Sequence, residues 1–377
     1  MTGPDAPAAR PRAFVACAQL CAATVGAARA LGLAAVALLA GACATAQPAA
    51  TAPAPQPAPR VEAPPPRPVE APLPEMFESE RFIVAFARAG DTAATLAARH
   101  LGDAGKAWMI EDYNGAASFA ASQEVTIPKR DWNRSGVDHT GYQIVPILVY
   151  HNVAPEAKGR MVLAAKSFEE QMRYLKAQGY RVISLRDFIE FGRLGRQLPR
   201  RSVVLTFDDG YKAFKTYAHA ILKELGFTAT LFVYTDYVGA GRNSLSWPEL
   251  RELAAEGFDI QAHSKTHGDL RRTIGETDAQ FARRMQAELE VPRGLFQRNL
   301  GAPPTTLAYP YGAADEDVVR AVRETGYAAA FTVRREGNPS FVTPLRAHRS
   351  QIYSEMSLQD FIKNLEVRHE EKLGEAQ

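Results

Sequence analysis

Two short stretches of this chain carry residues that could do chemistry together. Thr206-Phe207-Asp208-Asp209-Gly210-Tyr211 sets two carboxylates side by side, directly after the apolar run Val203–Phe207. Adjacent carboxylates repel one another. A divalent cation relieves the repulsion, taking one as a ligand and leaving the other free as a base. Taken alone, Asp-Asp-Gly is equally well a solvated turn. The second stretch, Ala262-His263-Ser264-Lys265-Thr266-His267, follows the strand-like run Phe258–Gln261. Two imidazoles four residues apart face one centre if the segment takes a helical turn. A lone histidine is ordinarily structural, but this pair and the Asp-Asp end of another strand form a ligand set. One of the two aspartates with His263 and His267 would give three protein ligands and leave a position open for water, which suits zinc and related ions.

Composition narrows the choices. The only cysteines are Cys17, Cys21 and Cys43, so the later chain has neither a disulfide framework nor a thiolate metal site. A net charge of +2, with basic residues scattered, gives no concentrated patch for a nucleic acid. The length of 377 residues, with 46% hydrophobic and 23% charged, fits two folded units joined by linkers.

The elements that must position these residues alternate from Gln143 onward. Strand-like runs at Ile144–Val149, Val203–Phe207, Thr228–Val233, Phe258–Gln261, Thr306–Ala308 and Ala329–Val333 are separated by helical segments. One helix opens near Ser167, with Phe168, Met172 and Leu175 at helical spacing; others are expected over Lys212–Leu225, Pro248–Glu256, Asp278–Gln297 and Asp315–Glu324. This order predicts an α/β domain with a parallel sheet, open or closed into a barrel, and active residues at the C-terminal strand ends. Asp208 and His263 both occupy such ends.

The chain before residue 143 reads differently. A basic lead, then the apolar run Ala30–Ala42 ending at Cys43, has the layout of a secretory signal over residues 1–43. The run is short for a membrane span. Leu39-Ala40-Gly41-Ala42-Cys43 resembles a bacterial lipobox, which implies lipidation of Cys43 and a membrane-anchored lipoprotein of the cell envelope facing the periplasm. Cleavage near Ala44-Thr45-Ala46 would instead give a soluble exported protein. Residues 44–76 are dominated by Pro and Ala and should form an extended spacer. Within residues 77–130, a β-α-α-β order is expected from Phe82–Phe86, Ala93–Leu101, Ala107–Tyr113 and Val125–Pro128. With Gly90-Asp91-Thr92, Tyr113-Asn114-Gly115 and Thr126-Ile127-Pro128, it resembles the LysM fold, implying a module that binds N-acetylglucosamine-containing glycans.

TFDDGY at Thr206–Tyr211, HSKTHGDL at His263–Leu270 and WPELRELAAEGFDI at Trp247–Ile260 resemble the motifs of the polysaccharide deacetylase family (NodB homology, carbohydrate esterase family 4). The resemblance implies a distorted (β/α) barrel over residues 143–370. It also implies a metal-dependent hydrolase removing N-acetyl groups from an N-acetylated glycan polymer, either exopolysaccharide or peptidoglycan. In that family Asp208 would be the general base, and Asp209, His263 and His267 would hold one divalent ion, Zn²⁺ foremost, with Ni²⁺ or Co²⁺ as alternatives. The Tyr311 backbone N–H would be the oxyanion donor. Two departures stand out. Ala308-Tyr309-Pro310-Tyr311-Gly312 has Ala308 where the family has the Arg that orients the base, so another residue must do that job or the base is tuned differently. The general acid has two candidates, Leu148-Val149-Tyr150-His151 and Leu345-Arg346-Ala347-His348. The subgroup resembling poly-N-acetylglucosamine deacetylases is circularly permuted and uses an early Tyr-His, which favours His151 over His348. A non-catalytic glycan-binding protein and an O-acetyl esterase on the same scaffold are the alternatives.

Overall fold

The computed structural model describes residues 76–371. The expected signal, lipobox and Pro/Ala spacer lie outside the described residues, except for Met76. Among the described residues, no helix is long and apolar enough to cross a membrane.

The first unit runs β1 (Phe82–Phe86), α1 (Ala93–Leu101), α2 (Ala107–Asn114), β2 (Glu124–Pro128). Its strands pair antiparallel, with Phe82 opposite Pro128 and Phe86 opposite Glu124. Thr92 caps α1 by accepting from the Thr95 N–H, and Gly102 closes it in the left-handed conformation that a side chain resists. Leu96, Ile110, Val125 and Ile127 fill a small core between helices and strands. The α2 face turned away from this core meets the following domain. Arg181 pairs with Glu111 at 2.8 Å, and the Arg200 N–H donates to Asp112 Oδ2 at 2.9 Å. Trp132, in the connecting segment, packs against Trp108 and Tyr113.

The second unit is built on a parallel sheet. Its principal strands are β3 (Ile147–Tyr150), β4 (Ser202–Asp209), β5 (Thr230–Val233), β6 (Asp259–Ala262), β7 (Thr306–Ala308), β8 (Ala329–Phe331) and β9 (Ser350–Gln351). They are ordered β8-β7-β6-β5-β4-β3-β9, and a short strand at Arg181–Val182 also pairs with β4. All eight residues of β4 are buried. That is the environment of a central strand covered on both faces, and it explains why its sequence is an apolar run rather than an alternation. The sheet curls until its edges meet: Ala347 N–H donates to Ala330 O at 3.0 Å and Thr332 N–H to Ala347 O at 2.8 Å.

Helices cover the outer face. α3 (Ala165–Ala177) buries Phe168, Met172 and Leu175, the residues its spacing placed on one side, and α4 (Leu185–Gly192) buries Leu185, Phe188 and Phe191. α6 (Trp247–Ala255) starts with a Ser246/Glu249 capping box, and α7 (Asp278–Leu300) with a Thr277/Gln280 box. α8 (Glu316–Thr325) is capped by Asp315. Two local expectations differ from the fold. The expected helix over Lys212–Leu225 is regular only from His219 to Leu225 (α5), because a wider π turn over Phe214–Ala218 precedes it. The segment His263–His267 is a loop, not a helical turn.

Candidate metal centre

Strand register determines what meets at the C-terminal edge of the sheet. Phe207 pairs with Tyr150, Asp209 with Val233, Val233 with Ala262, and Ala308 with Phe331. The residues at or just after these ends, His151, Asp208, Asp209, His263 and Tyr309, therefore come together. With His267, Tyr311 and Gln351 they line one cleft of about 200 Å³.

The backbone around this cleft is unusual. Six non-glycine residues among those described have a left-handed φ, and four of them are here: Asp209 (75°), Ser264 (69°), His267 (65°) and Tyr311 (58°). Each such conformation costs roughly 1–3 kcal/mol and persists only where surrounding contacts enforce it. Gly312 follows Tyr311 with φ 67°, and a Cβ there would lie 2.6 Å from the Val333 nitrogen. Only glycine lets the Tyr-Gly turn lie this close to the strand end.

The two histidines reach one point without a helix. Ser264 and His267 each turn the chain into the left-handed region, and the His267 N–H donates to Ser264 Oγ at 3.0 Å. His263 is buried, and its Nδ1 lies 2.8 Å from the Ala308 carbonyl oxygen. That carbonyl can only accept, so Nδ1 carries the proton and the Nε2 lone pair is left facing the cleft. His263 Nε2 stands 3.6 Å from Asp209 Oδ1, and His267 Nε2 stands 3.2 Å from the same oxygen. The ligand atoms of Asp209, His263 and His267 all lie within 4.8 Å of one another. Asp209 Oδ1 is buried and has no hydrogen-bond partner. A buried carboxylate oxygen without a donor is costly, and a cation bound by all three side chains would supply what it lacks. The residues present fit a divalent metal.

Asp208 is compensated differently. Arg349, fully buried, grips it with two parallel bonds, Nη1 to Oδ1 at 2.7 Å and Nη2 to Oδ2 at 2.8 Å. The guanidinium also donates to Thr206 Oγ1 and Thr332 O, and its Cζ lies 5.1 Å from the centre of the Phe232 ring. Burial pushes the Asp208 carboxyl up, but the charge and hydrogen bonds of Arg349, with His263 and His151 beside it, together outweigh burial and hold the group down at about 2. Arg349 occupies the electrostatic position that Ala308 leaves empty. It was not among the residues picked out from the sequence. The signal was present in the expected pair of acids, one of which needed a buried cation once a metal had been assigned to the other.

The two candidate acids are separated. His151 lines the cleft, and its Nδ1 is buried without a hydrogen-bond partner. His348 lines a different, larger cavity outside the strand ends and lies 3.3 Å from Glu336. Tyr311 stands at the cleft rim, largely exposed, with its ring edge-on to His267 at 4.9 Å.

Residues 195–330 match the polysaccharide deacetylase family. A putative polysaccharide deacetylase, YxkH, of Bacillus subtilis is 28% identical over 188 residues, 50% of this chain and 64% of that one. The poly-beta-1,6-N-acetyl-D-glucosamine N-deacetylase of Staphylococcus epidermidis is 28% identical over 188 residues, 48% of this chain and 62% of that one. The matches thus span less than two thirds of these relatives' own length. Among solved structures, the Streptococcus pyogenes deacetylase PplD superposes with a TM-score of 0.54 at 22% identity, covering 60% of this chain and 100% of PplD. IcaB of Ammonifex degensii gives 0.53 at 22%, covering 60% and 99%. These two likenesses establish the fold, a NodB-type (β/α) barrel. The segment from residue 195 to 330, which matches the polysaccharide deacetylase family, carries β4 to β7 and every candidate metal ligand.

Proposed function

We propose that this protein is a metal-dependent hydrolase that removes N-acetyl groups from an N-acetylglucosamine-containing polysaccharide at the cell envelope. One observation carries the reading. A carboxylate held ionised by Arg349 stands beside a convergent Asp-His-His set, and His151 lines the same cleft. A divalent ion on Asp209, His263 and His267 would polarise the acetamide carbonyl and acidify water. Zinc suits these ligands, and nickel or cobalt would be accepted by the same set.

The chain's own groups supply the remaining chemistry. Asp208 accepts a proton from the attacking water, and Arg349 orients it through both oxygens so that its remaining lone pairs face the cleft. The Tyr311 backbone N–H donates to the carbonyl oxygen as negative charge develops there. His151 protonates the departing sugar nitrogen. Acetate and a glucosamine unit result. The name of the Staphylococcus epidermidis relative favours a β-1,6-linked N-acetylglucosamine polymer as substrate, and the β-α-α-β unit at residues 77–130, as a LysM-like glycan-binding module, would hold the same polymer. Cys43 would carry the lipid that anchors the protein to the membrane.

Acetate release from β-1,6-linked N-acetylglucosamine oligomers, chitin oligomers and peptidoglycan, with and without a chelator, tests the proposal. Chelator-sensitive release from one of these supports it. No release from any of them by metal-loaded protein refutes it, and faster release from O-acetylated substrates would reassign the protein as an esterase.

A further inference from the structure

The loop from His263 to His267 holds a strained shape, fastened on one side by the Thr235 and Asp236 N–H groups, which donate to Ser264 O and Lys265 O, and on the other by one side chain distant in sequence. Glu288, on α7, is only 6% exposed. Its Oε2 accepts from two successive backbone donors, Lys265 N–H and Thr266 N–H, each at 3.0 Å. Its Oε1 accepts from Thr266 Oγ1 at 2.7 Å. Thr266 Oγ1 in turn accepts from the Gly268 N–H at 3.2 Å. Among the described residues Glu288 has no salt-bridge partner. A buried carboxylate without a cation is expensive, and it is tolerated here because the donors of this loop satisfy it.

The three residues between the histidines are thus tied at both ends. Ser264 Oγ accepts the His267 N–H, while Glu288 gathers the N–H groups of Lys265 and Thr266. Both contacts favour the left-handed turns at Ser264 and His267, which aim the two Nε2 atoms at Asp209. A relaxed loop would return these residues to ordinary φ and swing His267 away from His263.

We propose that Glu288 is a positioning residue for the metal centre, acting through the loop that presents both histidines. The inference rests on the metal reading of Asp209, His263 and His267. Its chemistry also specifies which replacement should work. Glutamine can turn its Oε1 to the two backbone donors and its Nε2 to Thr266 Oγ1, so it keeps the whole contact set. Alanine keeps none of it.

The test is titration of metal-free protein with Zn²⁺ against a chromophoric chelator, with thermal unfolding of the metal-free form followed in parallel. Glu288→Ala is expected to weaken zinc binding by ~10–100-fold, the range typical of outer-shell partners of metal ligands. Glu288→Gln is expected to stay within about threefold of wild type, since its contacts are retained. Thr266→Val removes the hydroxyl's bonds to Glu288 and from Gly268 without touching α7, and leaves both backbone bonds to Glu288 in place. It should weaken binding by a smaller factor, and it carries the test if the alanine variant does not fold. Wild-type affinity in folded Glu288→Ala or in Thr266→Val would overturn the inference, as would a fall in thermal stability with affinity unchanged. Equal loss in the glutamine and alanine variants would overturn it too, by showing that charge rather than loop geometry matters. Wild-type protein that binds no zinc would overturn the metal reading itself, a result distinct from any of these.

Discussion

Asp91 and Asp208 are among the aspartates that arginine grips with two bonds, and of these two only Asp208 lines the candidate cleft. In the β-α-α-β unit, Asp91 takes two bonds from Arg99 at 2.8 and 2.6 Å, eight residues away along the same helical turn region. In the barrel, Asp208 takes two bonds from Arg349 at 2.7 and 2.8 Å across 141 residues. Asp91 also accepts from the Arg88 N–H and the Thr95 hydroxyl, so its oxygens are spoken for by the turn it fastens. The Arg99 side chain is 34% exposed, whereas that of Arg349 is not exposed at all. A bidentate ion pair is therefore no mark of function. The mark is the neighbourhood, where Asp209 Oδ1 and His151 Nδ1 lie buried without partners beside Asp208.

This contrast can be tested at each end. Asp208→Asn should lower kcat for acetate release by about 10²–10⁴-fold, the usual contribution of a general base, with zinc content by elemental analysis unchanged. Loss of zinc along with activity would mean that the two adjacent acids share the metal and that their division of labour is wrong. Arg349→Met strands a buried carboxylate, so urea unfolding at pH 7 should show a loss of about 3–5 kcal/mol. Adding Asp208→Leu to that variant should restore much of the stability but none of the activity. Arg99→Met breaks the partly exposed pair and should cost only about 1 kcal/mol, with catalysis intact.

The smallest effect is one of pH. The Arg99 guanidinium holds the Asp91 carboxyl well below the ordinary carboxylate range, against the opposing push of burial. Its folded value is thus depressed, so the stabilisation is complete above the unfolded value near ~4 and fades as pH falls further. Wild type and Arg99→Met should differ by a constant amount from pH 7 to 5 in urea unfolding and converge below pH 4. A difference that grew on acidification would contradict the assignment.

Much of the site could be read from the sequence because its ligands are local. Asp208 and Asp209 finish a strand whose buried apolar run is unmistakable, and His263 begins where another strand stops. The loop shape between the histidines was not legible, since left-handed Ser264 and His267 have no propensity signal and depend on Glu288. Glu288 itself left a trace. It shares the face of α7 that buries Phe281, Met285, Leu289 and Phe296, where a charge must have a partner. Arg349 left less. It adjoins β9, a strand of two residues, too short to show any alternation, and its partner is remote in sequence. The alternation of strands and helices predicted a parallel α/β sheet and the family resemblance a barrel, while the closure of its edges through Ala347 depends on single residues that no periodicity reports.

That closure has a consequence in time. Ala347 joins the sheet edges, and Arg349, two residues on, pairs with Asp208, so one short segment both closes the barrel and supplies the counter-charge of the proposed base. During synthesis, every metal ligand emerges well before that segment does. A chain halted at residue 340 would already own Asp208, Asp209, His263 and His267, yet Asp208 would lack its Arg349 counter-charge. A segment made late in synthesis thus completes both the sheet closure and the ion pair of Asp208, and cleavage just before it would remove both.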